Sequence, residues 1–324
     1  MRPPVGQAGA YQVGWTSLVL LDRSRPVLGT RRLPVLVRFP VVPPAEVASG
    51  RLARGPFPLV VFAPGYLQCG SSYAALLQTW ASAGYVVAAV EFPRTHCHVA
   101  VPDEADLSNQ PADVSAVISR LLAVSASPVG SGSGSASPGS TSAGSTGPGS
   151  GGSGSGSAGP GGASSASPLA GLIDPAMIAV AGHSDGGDTA AAVAANTCCR
   201  DSRVKAAMIL SGAQWPPLGG RYFPPGTPPM LFVQGTSDTW NPPTASTRLY
   251  QADKAGTRYF LTLLGADHFA PYEGHGKPEP LVARVTLAFL NAYLDGQQQQ
   301  VAIMRAAGNV RNVAVLSGNG RLPA

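Results

Sequence analysis

Apolar runs along the chain alternate with polar, turn-forming stretches in a regular order. The runs mark strands near Gln12–Leu21, Leu33–Phe39, Leu59–Ala63, Tyr85–Val90, Met177–Ala181, Ala206–Leu210, Met230–Gln234 and Tyr259–Leu264. Candidate helices fall between them at Ser71–Ser82, Gln110–Val124, Asp188–Asn196, Pro243–Ala255 and Pro280–Asp295. From the third strand onward, strand and helix alternate. That order implies an α/β fold: a mostly parallel central sheet with helices on both faces. The stretch from Gln214 to Pro229 is too rich in proline for a large helical lid, so an open, shallow cleft is expected.

One segment breaks the pattern. Residues 125–168 are Ser, Gly, Ala, Pro and Thr almost without exception. Such a stretch cannot bury enough apolar surface to offset its ordering entropy, so a disordered insert is expected there. It lengthens one helix-to-strand loop without dividing the fold, because closing a longer loop costs only about 0.6 kcal/mol per doubling. Of the 324 residues, about 280 remain, a size common for one α/β domain. Residues 1–324 are therefore expected to form a single domain.

The chemistry concentrates where an apolar strand meets Gly182, His183, Ser184, Asp185, Gly186 and Gly187. A serine two residues from a glycine on each side, between a strand and a small-residue helix, is the pattern of a nucleophile elbow. The turn is so sharp that its flanking positions tolerate almost no side chain. In a chain this rich in glycine and serine the pattern alone is weak, so the parts that follow must decide. Two later strands end in loops carrying Asp238 and His268. Ser184, Asp238 and His268 thus stand in the order nucleophile, acid, base.

These residue types suit one reaction. A serine hydroxyl needs an imidazole to take its proton as it attacks an acyl carbon, and the imidazole needs a carboxylate to hold its tautomer and stabilise its cation. The tetrahedral intermediate also needs two N–H donors. Asp185 follows the nucleophile and is expected to supply one; Tyr66, in the Ala63-Pro64-Gly65-Tyr66 loop after the third strand, is expected to supply the other. Asp267 competes for the role of acid, but it sits directly before His268, from where its side chain reaches the imidazole poorly. Taken singly, Asp238 reads equally as a surface acid, His268 as a structural histidine and Ser184 as a helix cap. The Asp185 carboxylate, at a helix start, is expected to stay ionised and to disfavour anionic substrates.

The segments LVVFAPGYLQCGSSYAALLQTWASAGYVVAAVEFP (59–93), IAVAGHSDGG (178–187), FVQGTSDTWNPP (232–243) and LLGADHFAPY (263–272) carry a family resemblance. The chain resembles the α/β-hydrolase superfamily. Within it, the chain is most similar to the branch of bacterial cutinases and polyester hydrolases, platelet-activating-factor acetylhydrolase-like esterases, and chlorophyllase- or dienelactone-hydrolase-like proteins. The resemblance implies the α/β-hydrolase fold, the triad and a serine carboxylic-ester hydrolase. Cutinases flank the ester with an aromatic from the PGY loop and a tryptophan after the sixth strand, which implies substrate contacts for Tyr66 and Trp215. Asp185 stands where cutinases carry methionine, and no cysteine follows Cys199 to form their C-terminal disulfide. Short acyl esters are the expected substrates, with aromatic polyesters such as PET as a secondary class. A lactone, thioester or amide hydrolase with the same triad, or a non-catalytic binding module, are the alternatives.

Charge narrows the partners. The net charge of +5 comes from scattered arginines, of which only Arg31 and Arg32 adjoin. That is a solvated surface rather than a nucleic-acid footprint. No run approaches the roughly 20 apolar residues of a membrane span. The opening MRPPVGQAGAYQ lacks the apolar core of a secretory signal, so the chain reads as cytoplasmic, or as a secreted form whose leader has been removed. A Cys69–Cys97 bridge is open, whereas a disulfide between adjacent Cys198 and Cys199 is expected to be strained. His96, Cys97 and His98 are consecutive, with no distant ligand set, so no metal or other cofactor is expected. His275 has no assignable role. A monomer is expected.

Overall fold

The computed structural model describes residues 6–25, 29–42, 55–127, 167–254, 256–273 and 278–318. Most of the Ser/Gly-rich insert, residues 128–166, and His275 lie outside the described residues. The helix before the insert runs on to Ala126, two residues into the stretch expected to be disordered.

Among the described residues, nine strands form one sheet: β1 (Gln12–Asp22), β2 (Arg31–Val41), β3 (Phe57–Ala63), β4 (Val86–Val90), β5 (Ile173–His183), β6 (Val204–Leu210), β7 (Met230–Gly235), β8 (Arg258–Leu263) and β9 (Ala314–Gly318). Their order is β1-β2-β4-β3-β5-β6-β7-β8-β9. β4, β3, β5, β6, β7 and β8 run parallel, while β1 and β2 at one edge and β9 at the other are antiparallel to their neighbours. Parallel strands need crossovers, and four of the five here are helices: α1 (Ala74–Ser82), α2 (Gln110–Ala126), α3 (Asp185–Ala195) and α4 (Pro243–Ala252); the β6-to-β7 crossover is the proline-rich stretch, with only a short helical turn at Pro216–Leu218. Two more, α5 (Pro278–Tyr293) and α6 (Gln300–Gly308), precede β9.

The central strands β3 and β4 are apolar throughout because both faces are covered. Val60 and Phe62 of β3 pack in one core with Trp80 of α1 and Phe289 of α5. Leu59 and Val61, one residue out of phase, pack in the other with Val117 and Ile118 of α2 and Ala191 of α3. This is the period of two of a strand, read on both sides at once. All parallel strands end at the same edge of the sheet, so the loops after β3, β5, β7 and β8 converge there.

Several expectations need correcting. β5 begins at Ile173 rather than Met177, and α3 begins at Asp185 rather than Asp188. α6 and β9 were not expected: β9 has five residues, of which only Ala314 and Leu316 are buried. A five-residue edge strand leaves too short an alternation to read. The arginines are not uniformly solvated. Arg31 is buried and forks onto both oxygens of Asp106 at 2.8 Å and both of Asp113 at 2.8 and 2.6 Å. Arg25 reaches the same Asp113. These pairs tie the start of β2 to α2, and removing one partner would strand a buried charge, at a cost of about 3–5 kcal/mol. The cysteines form two disulfides. Cys69 is bonded to Cys97, with their Cα atoms 5.2 Å apart, and Cys198 is bonded to its neighbour Cys199.

Candidate active site

The turn from β5 into α3 is closed by contacts that only glycine permits. A Cβ on Gly182 would overlap the Gly186 carbonyl, and one on Gly186 would overlap the carbonyl of Ala63. Between them Ser184 adopts φ 54° and ψ −125°, a left-handed conformation costly for a residue with a side chain. The strain lifts a half-buried Ser184 hydroxyl clear of the strand ends.

Ser184, Asp238 and His268, far apart in sequence, meet here. His268 Nε2 lies 2.9 Å from Ser184 Oγ, and its Nδ1 lies 2.7 Å from Asp238 Oδ2. A carboxylate oxygen only accepts, so Nδ1 carries the proton and Nε2 is left to accept from the serine. Asp238 is further held by Gln234 Nε2 at 2.9 Å and by the N–H groups of Trp240 and Asn241 at 3.0 and 2.9 Å. Burial alone would raise this carboxyl, but the hydrogen bonds from His268, Asn241 and Gln234 and the attraction of the imidazole hold it below the usual carboxylate range. Asp267 is turned away: its Oδ1 accepts from the N–H groups of Phe269 and Ala270 at 3.0 and 2.8 Å.

The loop carrying Tyr66 packs against the serine. A Cβ on Gly65 would sit 3.1 Å from Ser184 Cβ, so the Tyr66 peptide lies one step from the nucleophile. Two bonds brace this loop: Leu67 N–H to the Thr95 carbonyl at 2.7 Å, and Gly70 N–H to Glu91 at 2.9 Å. The Cys69–Cys97 disulfide ties the same two loops. Asp185 is the first residue of α3, and its N–H is among the first-turn donors that lack an acceptor within the helix. Its carboxyl does not behave as expected. Burial first, then repulsion from Glu104, push its pKa up to about 6 against the opposing attraction of His268.

The two tryptophans approach from different sides. Trp215 is half-buried and donates its indole N–H to Ser108 Oγ at 3.1 Å, in the helical turn Glu104–Asn109 whose first residue repels Asp185. Trp240, which sequence reasoning missed, stacks on the His268 imidazole at 6.3 Å and 25° and is 71% exposed. Its signal was its place two residues after Asp238. Tyr73 was also missed as a neighbour of the site, and His183 was expected only as part of the elbow. Both are fully buried, and they hydrogen-bond each other at 2.8 Å.

Donor atoms suited to a soft metal do cluster beside the loop carrying Tyr66: Cys69, Cys97 and His98 in one group, and Cys69, Glu91 and His96 in another. Both groups depend on the Cys69 sulfur, which the disulfide already occupies. No helix among the described residues is long and apolar enough to cross a membrane.

No curated protein matches the chain. Residues 157–315, which span the elbow, Asp238 and His268, match the model of the PETase family, described as PET hydrolase-like. With the mostly parallel sheet and the glycine-flanked elbow, that match makes the chain similar to the polyester hydrolase-like α/β-hydrolases and supports a hydrolase acting on esters.

Proposed function

We propose that this protein is a serine hydrolase that cleaves carboxylic esters through an acyl-enzyme. Ser184 is the nucleophile, His268 the general base and acid, and Asp238 the carboxylate that orients the imidazole. The observation that carries this reading is the unbroken run from Ser184 Oγ through His268 to Asp238, at 2.9 and 2.7 Å, on a strained elbow. As Ser184 attacks the ester carbonyl, its proton passes to His268 Nε2, and Asp238 stabilises the imidazolium. The oxyanion is met by the N–H groups of Tyr66 and Asp185. Collapse expels the alcohol, which takes the proton back from His268. A water activated by the same nitrogen then hydrolyses the acyl-enzyme and frees the acid.

The substrate is read from the walls. Trp240, stacked on the His268 imidazole, borders the ester, and the resemblance to cutinases adds Tyr66 and Trp215 as its other contacts. A cleft of this kind grips a short acyl chain or an aromatic ring, with about 0.5–1.5 kcal/mol from each stacked pair. Longer chains gain nothing from contact with solvent. Esters with acyl chains of roughly two to eight carbons are the preferred class, with aromatic polyesters hydrolysed more slowly. A fluorophosphonate probe tests the chemistry: stoichiometric labelling of the wild type and none of Ser184→Ala supports it, and an unlabelled wild type refutes it. Hydrolysis of butyrate, palmitate and terephthalate esters tests the cleft, and a preference for palmitate would refute the short-chain reading.

A further inference from the structure

His183 stands immediately before the nucleophile, is fully buried, and takes no part in the proton transfers described above. Both its ring nitrogens are nevertheless committed. Nε2 lies 2.8 Å from the backbone carbonyl oxygen of His268, and Nδ1 lies 2.8 Å from the hydroxyl of Tyr73. A carbonyl oxygen only accepts, so Nε2 carries the proton. Nδ1 is then bare and accepts from Tyr73. The Tyr73 oxygen in turn accepts the N–H of Gly65, at 3.2 Å. The bonds therefore run in one direction, from the oxyanion loop through Tyr73 to His183, and from His183 to the main chain of His268. The ring itself is clamped by His268, Tyr272, Tyr73 and Phe269, at centroid distances of 4.6, 4.7, 5.6 and 5.9 Å.

A second proton would place an unpaired cation in a fully buried site. Burial first, then the neighbouring His268, bring the pKa of His183 down to about 3, against smaller opposing effects of the His268 carbonyl and Asp238. The imidazole is thus a fixed dipole with one tautomer.

We propose that His183 is a positioning residue: a neutral strut that holds the main chain of the general base in register with the oxyanion loop and the nucleophile. It rests on the reading of Ser184, Asp238 and His268 given above. The hydrogen bonds of the His183 ring go to Tyr73 and the His268 carbonyl, not to Ser184 Oγ or the His268 ring nitrogens. Its effect comes through the placement of His268 and Gly65, where an error of about 1 Å is costly.

Three variants and one spectrum test this. His183→Phe removes both bonds and is expected to lower kcat on a neutral short ester by about 10- to 100-fold, with KM within about twofold. His183→Gln, whose amide nitrogen reaches as far as Nε2, is expected to restore most of that loss. Tyr73→Phe keeps the bond to His268 but cuts the link to Gly65, so an intermediate loss is expected. A merely structural role would lower Tm in all three while leaving kcat per labelled active site unchanged, and that result overturns the proposal. Should His183→Phe fail to fold, imidazole ¹⁵N spectra of the wild type decide. An Nε2–H tautomer unprotonated from pH 8 to 5 is expected; an Nδ1–H tautomer, or protonation near pH 6, overturns it. Ser184→Ala separates the two ideas, since retained activity there refutes the triad whatever His183 does.

Discussion

Two carboxylates stand on either side of His268 and are treated in opposite ways. Asp238, in the loop after β7, accepts from the His268 imidazole, the Gln234 amide and two backbone N–H groups. Asp185, at the start of α3, has one oxygen buried without a hydrogen-bond partner among the described residues. Burial pushes both carboxyls upward. At Asp238 the donors outweigh it and the group is held ionised. At Asp185 nothing does: Glu104 adds repulsion, Asp188 lies within the same electrostatic reach, and the pKa settles at about 6. The expectation that a helix start keeps Asp185 firmly ionised is therefore corrected. A helix terminus contributes about 0.3–1 kcal/mol, too little to offset the loss of water. The supply of donors sets the charge of each acid, and burial alone does not.

The contrast is broken most directly by neutralising each acid in turn. Asp238→Asn is expected to lower kcat by about 10⁴-fold, because the amide favours the wrong imidazole tautomer. Asp185→Asn keeps the backbone N–H and should cost a neutral ester less than about tenfold. Asp267→Asn should be close to neutral. Steady-state kinetics of the three decide, and a severe Asp267 variant beside a mild Asp238 variant would reverse the assignment.

Stability should respond in the opposite sense. Asp185 has a folded pKa of about 6 against 3.8 for the ordinary carboxyl. Between those values the folded protein holds more protons than the unfolded one, so stability falls as pH rises from about 4 to 6. Above that window Asp185→Asn is expected to gain about 1–3 kcal/mol, seen as a raised Tm, and below about pH 4 the gain should vanish. An equal gain at all pH values would show that charge is not the cause.

The aromatic walls allow a finer comparison. Trp240→Ala should lower kcat/KM for a terephthalate ester by about 2- to 13-fold, as expected for one lost stacked pair. Trp215→Ala, whose indole is already engaged by Ser108, should cost less. The smallest expected effect is on charge selectivity. At pH 8 a neutral ester should be preferred over its anionic counterpart by about threefold more than at pH 5, since the Asp185 carboxyl is charged at the higher pH and mostly protonated at the lower. In Asp185→Asn that pH dependence should be flat.

Much of this was written in the chain. Gly182, Ser184 and Gly186 announce the elbow because its sterics are local, and a Cβ at either glycine meets backbone only a few residues away or on the next strand. The strands from β3 to β8 were legible because strands covered on both faces must be apolar in both phases. The order of Ser184, Asp238 and His268 follows from strand ends that a parallel sheet gathers at one edge. Less legible were β9, whose alternation is too short, and α6, which follows a run of glutamines.

By itself, then, the sequence determined what depends on neighbours along the chain: the strand period, the glycines of the elbow, and the residue types of the proposed triad. Only the tertiary structure decided what depends on neighbours across it. His183 is adjacent to Ser184 in sequence, yet its tautomer is set by Tyr73, 110 residues away, and by His268, 85 residues away. The charge of Asp185 is set by its loss of water and by Glu104, and the burial of Arg31 by Asp106 and Asp113. The physical reason is the same in each case. Steric and periodic rules act over a few residues, whereas desolvation and hydrogen-bond supply are properties of a place in the folded molecule, which exists only once distant segments have met.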